Sequence, residues 1–264
     1  MLEKKMSITD LQAKKGVEKI TAITAYDALM AEIFDAEVDV ILVGDSLKFS
    51  FGGESETLGA SMEEMLYHTK AVCRGVKHSF VLADMPFGSY ATQKLALKNA
   101  LKFYKNTAAD AIKLEVDIQK LPIVRALCEE GIAVVAHIGL KPQFARFDGG
   151  FKVKGKSEKE AQELLECALA MQEAGVCSVL IEGVKSQVAE NITKALSVPT
   201  IGIGAGNACD GQILVWSDAF GFFSAFKPKF VRTYCDGRAM LKEAIRAYAK
   251  DVKSLQFPNE NESY

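Results

Sequence analysis

Three carboxylates, Asp45, Asp84 and Glu115, each stand at the end of an apolar, β-branched run of the sequence. An ionisable side chain that follows a buried run is costly unless it is paired, bound to a metal or in contact with water. Carboxylate oxygens are the hard ligands that Mg²⁺ takes from proteins, with water or substrate completing its octahedron. The three therefore predict a nearby cation. For any single one, the alternative is an ion pair with Lys113 or a helix cap.

Three further ionisable residues end such runs. Lys113 and Glu115 are two residues apart, so on a strand both side chains point to the same face. Glu182 follows the apolar stretch 177–181, an environment that raises a carboxyl pKa and suits a general base. A structural ion pair is the alternative for Glu182. His137 is either an auxiliary group that orients a substrate or a satisfied structural histidine.

The elements that must position these residues alternate along the chain. Eight nearly continuous apolar runs, typical of parallel strands covered on both faces, are separated by segments of helical period. Capping-box patterns at Ser61 with Glu64 and at Ser157 with Glu160 mark two helix starts. The apolar runs span residues 20–27, 38–46, 80–87, 111–116, 133–139, 177–183, 198–206 and 213–221.

Eight βα units in about 250 residues predict an α/β fold, the (β/α)8 TIM barrel, whose active site lies at the carboxyl ends of the strands. Since no linker interrupts the series, residues 1–264 are interpreted as a single domain. The alternative, a doubly wound open sheet, lacks its dinucleotide-binding Gly-x-Gly-x-x-Gly after the first strand. Residues 8–15 are predicted to form an extra N-terminal helix at the bottom of the barrel, and the polar tail 259–264 is predicted to be disordered.

Composition excludes several classes of protein. The 32 Lys and Arg residues against 34 Asp and Glu leave a net charge of -2, so no basic field exists to hold nucleic acid or an anionic membrane. No apolar run reaches the roughly 18 residues of a membrane span, and the first residues do not form an apolar signal region. Cysteine and histidine spacing does not fit a zinc site. We expect a cytoplasmic protein whose partners are small molecules, not nucleic acid or a membrane.

The residues at the predicted strand ends resemble those of the ketopantoate hydroxymethyltransferases (3-methyl-2-oxobutanoate hydroxymethyltransferases), (β/α)8 enzymes of pantothenate biosynthesis. The order and spacing of ten short motifs over nearly the whole chain carry the resemblance. They are TAYD at 24–27, VGDSL at 43–47, MLYHTKA at 65–71, ADMPF at 83–87, KLE at 113–115, HIGL at 137–140, EG at 182–183, IGIGAG at 201–206, CDGQ at 209–212 and PKFV at 228–231.

This resemblance implies a reaction and a role for each candidate residue. A hydroxymethyl group would pass from 5,10-methylenetetrahydrofolate to 3-methyl-2-oxobutanoate through a Mg²⁺-stabilised enolate, giving 2-dehydropantoate and tetrahydrofolate. A homo-oligomer, specifically a decamer, is also implied. The implied metal ligands are Asp45, Asp84 and Glu115, the keto acid is bound by Asp45, Ser46, Asp84 and Lys113, and the proton acceptor is Glu182.

Two positions depart from the family pattern. Lys48-Phe49-Ser50 stands where the family usually continues Gly-Met-Val, and Lys141 stands where Thr is usual. Both positions fall in long loops, 47–60 and 140–156, that are predicted to cover the site. The departures therefore concern folate contacts or loop closure rather than the metal site.

Two other functions keep the same barrel. One is a Mg²⁺-dependent carbon–carbon lyase or phosphonomutase that acts on another 2-oxo acid without folate. The other is a non-catalytic binding barrel. The presence of all five ionisable residues of the family site argues against it; they are Asp45, Asp84, Lys113, Glu115 and Glu182. A requirement for folate separates the transferase from the lyase.

Overall fold

Eight parallel strands close into a barrel. The computed structural model describes residues 4–223 and 227–264. Each strand pairs with the next along the chain, and the eighth returns to pair with the first, as the (β/α)8 interpretation predicts. The strands are β1 Ile20–Thr24, β2 Val40–Val43, β3 Phe80–Asp84, β4 Ala111–Glu115, β5 Val134–Gly139, β6 Ser178–Glu182, β7 Thr200–Ile203 and β8 Gly211–Leu214.

Helices follow the strands, and side-chain caps fix several of their starts. At Ser61 the predicted capping box forms in both directions with Glu64, and the Ser157 hydroxyl accepts a hydrogen bond from the Glu160 backbone N–H. The helices are α1 Ile8–Ala13, α2 Ala28–Phe34, α3 Leu47–Ser50, α4 Met62–Gly75, α5 Gln93–Asn106, α6 Leu121–Glu129, α7 Ala145–Asp148, α8 Glu158–Glu173, α9 Ser186–Ala195, α10 Trp216–Ala219 and α11 Gly237–Lys253.

The predicted N-terminal helix is α1, and it contributes to the core. Leu11 is 1% exposed and belongs to a buried cluster with residues at the starts of several strands, including Ile20, Val40 and Phe80. Because these residues lie at the amino-terminal end of the strands, the cluster fills the bottom of the barrel. The opposite, carboxyl end carries the polar residues.

The chain divides into two compact units, Met1–Val215 and Trp216–Tyr264. The first contains the whole barrel, and the second contains α10 and α11. The single-domain interpretation of 1–264 stays a prediction. Where disorder was predicted for the tail, Glu260–Glu262 form a 3-10 turn because Asn259 and Glu262 cap each other.

The eighth predicted strand, 213–221, is wrong over most of its length. The strand is Gly211–Leu214, and Trp216–Ala219 is helical. A continuous apolar run is compatible with either a strand or a buried helix, so the pattern could not separate the two.

Two long connections follow the strands that carry the site, and we name them for those strands. The β2 loop covers residues 44–61 and contains α3, and the β5 loop covers residues 140–157 and contains α7. Within the described part of the chain, the helices are either too short or too polar to span a membrane.

Candidate active site

The predicted ionisable residues converge at the carboxyl end of the barrel because neighbouring strands are in register there. Asp84 of β3 pairs in register with Lys113 of β4, and Glu115 of β4 pairs with His137 of β5. Glu182 ends β6, opposite Gly139. The order of strands around the barrel therefore sets these five side chains side by side.

Asp84 is the centre of a buried network. Its Oδ1 accepts a hydrogen bond from Lys113 Nζ at 2.7 Å, and its Oδ2 accepts one from the Asp45 backbone N–H at 3.2 Å. All three residues are at most 4% exposed. Burial lowers the pKa of Lys113, but the nearby carboxylates Asp84, Glu115 and Asp45 raise it by more. The ammonium group therefore stays charged.

The pKa values of the other two carboxyl groups in this cluster are raised, which favours their protonated form. Burial, followed by repulsion from Asp84, raises the pKa of Asp45 to about 7. Burial is also the main cause that raises the pKa of Glu115 well above its usual range. Carboxylates this close and this buried cannot all ionise beside a single ammonium, so a further cation would stabilise them.

The donor set of Asp45, Asp84 and Glu115 fits a hard divalent cation. Glu115 Oε1 is buried and lacks a hydrogen-bond partner among the described residues, which leaves a lone pair for a ligand. As it stands, no group of three His, Cys, Asp or Glu side chains within residues 4–223 and 227–264 is arranged to hold a metal. Lys113 and neighbouring amides donate hydrogen bonds to several of the carboxylate oxygens, so binding would require side-chain shifts.

Glu182 differs from the other carboxylates in its access to solvent. Its side chain is 19% exposed, against 1% for Asp84 and 0% for Glu115. Burial of its carboxyl group raises the pKa of Glu182 to about 7, which suits proton transfer near neutral pH. Glu182 is therefore the most exposed of the four site carboxylates.

His137 lies between two carboxyl groups. Its Nε2 is 3.3 Å from Glu182 Oε2, and its Nδ1 is 3.8 Å from Glu115 Oε1, but neither nitrogen has a well-aligned hydrogen bond within the described part of the chain. Burial and then the Lys113 charge lower the pKa of His137 well below its usual range. A neutral imidazole is therefore available to a ligand.

Ser46, the remaining predicted site residue, directly precedes the short helix α3. Its hydroxyl is 2.8 Å from the hydroxyl of Tyr26, which is fully buried. That contact holds Ser46 beside Asp45, at the mouth of the barrel. All seven predicted site residues thus lie at the carboxyl ends of β2 to β6 or directly after them.

Three polar residues of the site were missed in the sequence. Gln143 is 2% exposed, and its side-chain Nε2 donates to Asp45 Oδ2 at 2.9 Å. Tyr90 donates to Gln143 Oε1, and the Thr57 hydroxyl helps to lower the pKa of Asp45. These residues lie in connections rather than at strand ends. Neither the hydrophobic periodicity of the sequence nor an adjacent apolar run therefore indicates a role for them. The only signal was a glutamine after a proline near the end of β5.

Lys48 and Lys141, the lysines that depart from the family pattern, form ion pairs near the beginnings of the β2 and β5 loops. Lys48 Nζ is 2.7 Å from Glu54 and 3.1 Å from Glu64, which ties the β2 loop to α4. Lys141 Nζ is 3.0 Å from Asp117, in the connection after β4. Neither lysine contacts the carboxylate cluster directly through these bonds.

Comparisons with known proteins give the same picture. The ketopantoate hydroxymethyltransferase family matches residues 5–260. A 3-methyl-2-oxobutanoate hydroxymethyltransferase of Helicobacter hepaticus is 78% identical over 264 residues, with both chains covered completely. The protein of the same name from Campylobacter concisus is 58% identical and covers 99% of this chain and 97% of its own.

Solved structures of lower identity share the fold alone. A phosphoenolpyruvate phosphomutase of Streptomyces platensis subsp. rosaceus superposes with a TM-score of 0.61 at 16% identity, covering 94% of this chain and 88% of its own. A phosphonopyruvate hydrolase in complex with oxalate and Mg²⁺ gives 0.61 at 16% identity, covering 97% and 93%. The match along the whole sequence is the one that decides: this chain belongs to the ketopantoate hydroxymethyltransferase family.

Proposed function

We propose that the protein transfers a hydroxymethyl group from 5,10-methylenetetrahydrofolate to 3-methyl-2-oxobutanoate, as a step of pantothenate biosynthesis. The observation that carries the proposal is that a buried acidic cluster around Lys113 and the more accessible Glu182 lie at the same end of the barrel. Membership of the family supports the substrates. The products are 2-dehydropantoate and tetrahydrofolate.

Asp45, Asp84 and Glu115 would hold Mg²⁺, a hard cation that suits three carboxylates. When bound, it supplies Lewis-acid stabilisation of the negative charge that develops on the keto oxygen. The Mg²⁺ in the fold neighbour phosphonopyruvate hydrolase, bound together with oxalate, supports this choice of metal. Lys113, charged and buried, binds the carboxylate of the keto acid, and the Ser46 hydroxyl donates to it.

Glu182 removes the proton from C3 of the keto acid. Its raised pKa of about 7 keeps it basic enough to accept that proton and leaves a usable fraction ionised at neutral pH. C3 forms the new carbon–carbon bond to the one-carbon unit, and water supplies the hydroxyl. The proton held by Glu182 and the second proton of that water replace the two bonds from the one-carbon unit to the folate nitrogens, so tetrahydrofolate leaves. Neutral His137, 3.3 Å from Glu182, fits an auxiliary role that orients this carboxyl group.

Proton NMR of 3-methyl-2-oxobutanoate tests the proposal. One tube contains protein, 5,10-methylenetetrahydrofolate and Mg²⁺, and parallel tubes contain excess EDTA or omit the folate. We expect 2-dehydropantoate in the complete tube only. Its absence with folded protein would reject the transferase. Cleavage of a methylisocitrate-like acid without folate would instead identify the carbon–carbon lyase alternative.

A further inference from the structure

Gln143 connects the β5 loop to the carboxylate cluster through its backbone N–H and its side-chain amide. Its backbone N–H donates to Glu115 Oε2 at 3.0 Å. Its side-chain Nε2 donates to Asp45 Oδ2 at 2.9 Å and to the Met85 carbonyl at 3.0 Å. Its Oε1 accepts the Tyr90 hydroxyl at 2.5 Å.

The partners of this amide fix its orientation. A glutamine side chain has two N–H donors and one carbonyl acceptor, and all are used here. The main-chain carbonyl of Met85 can only accept, so the nitrogen must face Met85 and, beside it, Asp45. Tyr90 is buried, and its hydroxyl supplies the donor on the other side. The amide is therefore locked, and it locks one oxygen of Asp45 in turn.

The β5 loop is also fastened beyond Gln143. Arg146 forms a two-pronged ion pair with Glu56 of the β2 loop. Lys154 pairs with Asp148, and its backbone N–H donates to the Gly183 carbonyl, directly after Glu182. A loop held in this way lies over the cluster from Asp45 to the end of β6.

We propose that Gln143 is a positioning residue that fixes Asp45 for the divalent cation and thereby links the order of the β5 loop to occupancy of the carboxylate cluster. The inference rests on the metal part of the proposed function. Outer partners that orient metal ligands commonly change metal affinity by about 10- to 100-fold when they are removed. Because linkage is reciprocal, a loop that strengthens metal binding is itself stabilised by the metal.

The test uses Mn²⁺ alone as the probe, with affinity measured by electron paramagnetic resonance. Gln143→Met keeps the length of the side chain and the backbone N–H but removes the amide. We expect its Mn²⁺ dissociation constant to rise by about 10- to 100-fold. The matched control is Gln119→Met, an exposed glutamine in the connection after β4, which should bind Mn²⁺ like the parent.

Hydrogen–deuterium exchange gives a second readout that a merely structural role would not move. In the parent, Mn²⁺ should slow exchange of the amides of residues 141–150, and in Gln143→Met this protection should disappear. Equal Mn²⁺ affinity and equal protection in parent and variant would overturn the inference while leaving the metal site intact. A parent that binds no Mn²⁺ would overturn both the inference and the metal part of the proposed function.

Tyr90→Phe provides a variant that keeps the contact between Gln143 and Asp45. It removes only the donor to Gln143 Oε1, so we expect the Mn²⁺ dissociation constant to rise by about 2- to 10-fold, the effect of one neutral hydrogen bond. If Gln143→Met does not fold, an unchanged Mn²⁺ affinity in Tyr90→Phe rejects the positioning role.

Discussion

Glu182 combines a raised pKa with access to solvent, and this combination makes its role testable. In Glu182→Gln the side chain keeps its shape but cannot accept a proton. We expect kcat to fall by about 10²- to 10⁴-fold, the usual contribution of a general base, with little change in the KM of the keto acid. Steady-state kinetics measure both quantities. Glu173→Gln, at an exposed position of α8, is the control, and a Glu182→Gln enzyme as active as the parent would reject the assignment.

The raised pKa values also predict how stability depends on pH. Between pH about 4 and 7 the folded, metal-free protein keeps protons on Asp45 and Glu182 that the unfolded chain has already lost. The native state then binds more protons, so the free energy of unfolding falls as the pH rises through this window. Thermal melts of metal-free protein from pH 4 to 8 should show this fall, and Asp45→Asn should show a smaller one.

Added Mg²⁺ should act in the opposite direction. The metal binds the ionised carboxylates, so the increase in Tm on adding Mg²⁺ should be larger at pH 8 than at pH 5. A Mg²⁺ effect that is the same at both values would contradict the raised pKa of Asp45.

At the residue scale, the sequence was sufficient for the groups that stand at strand ends. Asp45, Asp84 and Glu182 follow apolar runs, and a parallel barrel must bring such positions together. Gln143 and Thr57 could not be found in this way, because their place over the cluster depends on the path of a loop. A polar residue in a loop is expected in any case, so its type carries little information.

At the scale of elements, the ion pairs of Lys48 fasten the β2 loop. Lys48 is 8% exposed, whereas the side chains of Glu54 and Glu64 are 42% and 41% exposed, so solvent screens part of the attraction. For Lys48→Met we expect a loss of about 1 kcal/mol or less in the free energy of unfolding and faster proteolytic cleavage within residues 51–57.

A suitable control for Lys48→Met is Lys159→Met, which removes an exposed ion pair with Glu163 on α8. Its stability and cleavage pattern should match the parent. Unchanged cleavage of residues 51–57 in Lys48→Met would mean that the loop is held by other contacts.

The elements themselves show where sequence reasoning succeeds and where it stops. Seven strands lie within their predicted runs, since short apolar segments that alternate with helical patterns are typical of the strands of a parallel barrel. Close contacts between strands, by contrast, could not be predicted from the sequence. Gly139 has a φ of +94°, and a Cβ there would lie 2.3 Å from the Glu182 carbonyl oxygen. That approach of β5 to β6 is a three-dimensional requirement that a lone glycine in the sequence does not reveal.

At the scale of the whole molecule, the family resemblance predicts an assembly of ten copies, and this stays a prediction. Light scattering coupled to size-exclusion chromatography should give a mass about ten times the 28.7 kDa of the chain. A monomeric mass with full activity would show that the active site is complete in one copy and that the expectation of a decamer is wrong. The cytoplasmic location likewise stays a prediction.

The buried cluster around Leu11 that fills the bottom of the barrel has a consequence for the order of events. With that end filled, both reactants of the proposed reaction must pass through the mouth at the carboxyl ends of the strands. In the proposed reaction the small keto acid binds at the buried Lys113, so we expect it to bind before the much larger folate and its product to leave last. We therefore expect 2-dehydropantoate to inhibit competitively against the keto acid. Noncompetitive inhibition would indicate that the two reactants do not bind in this order through one entrance.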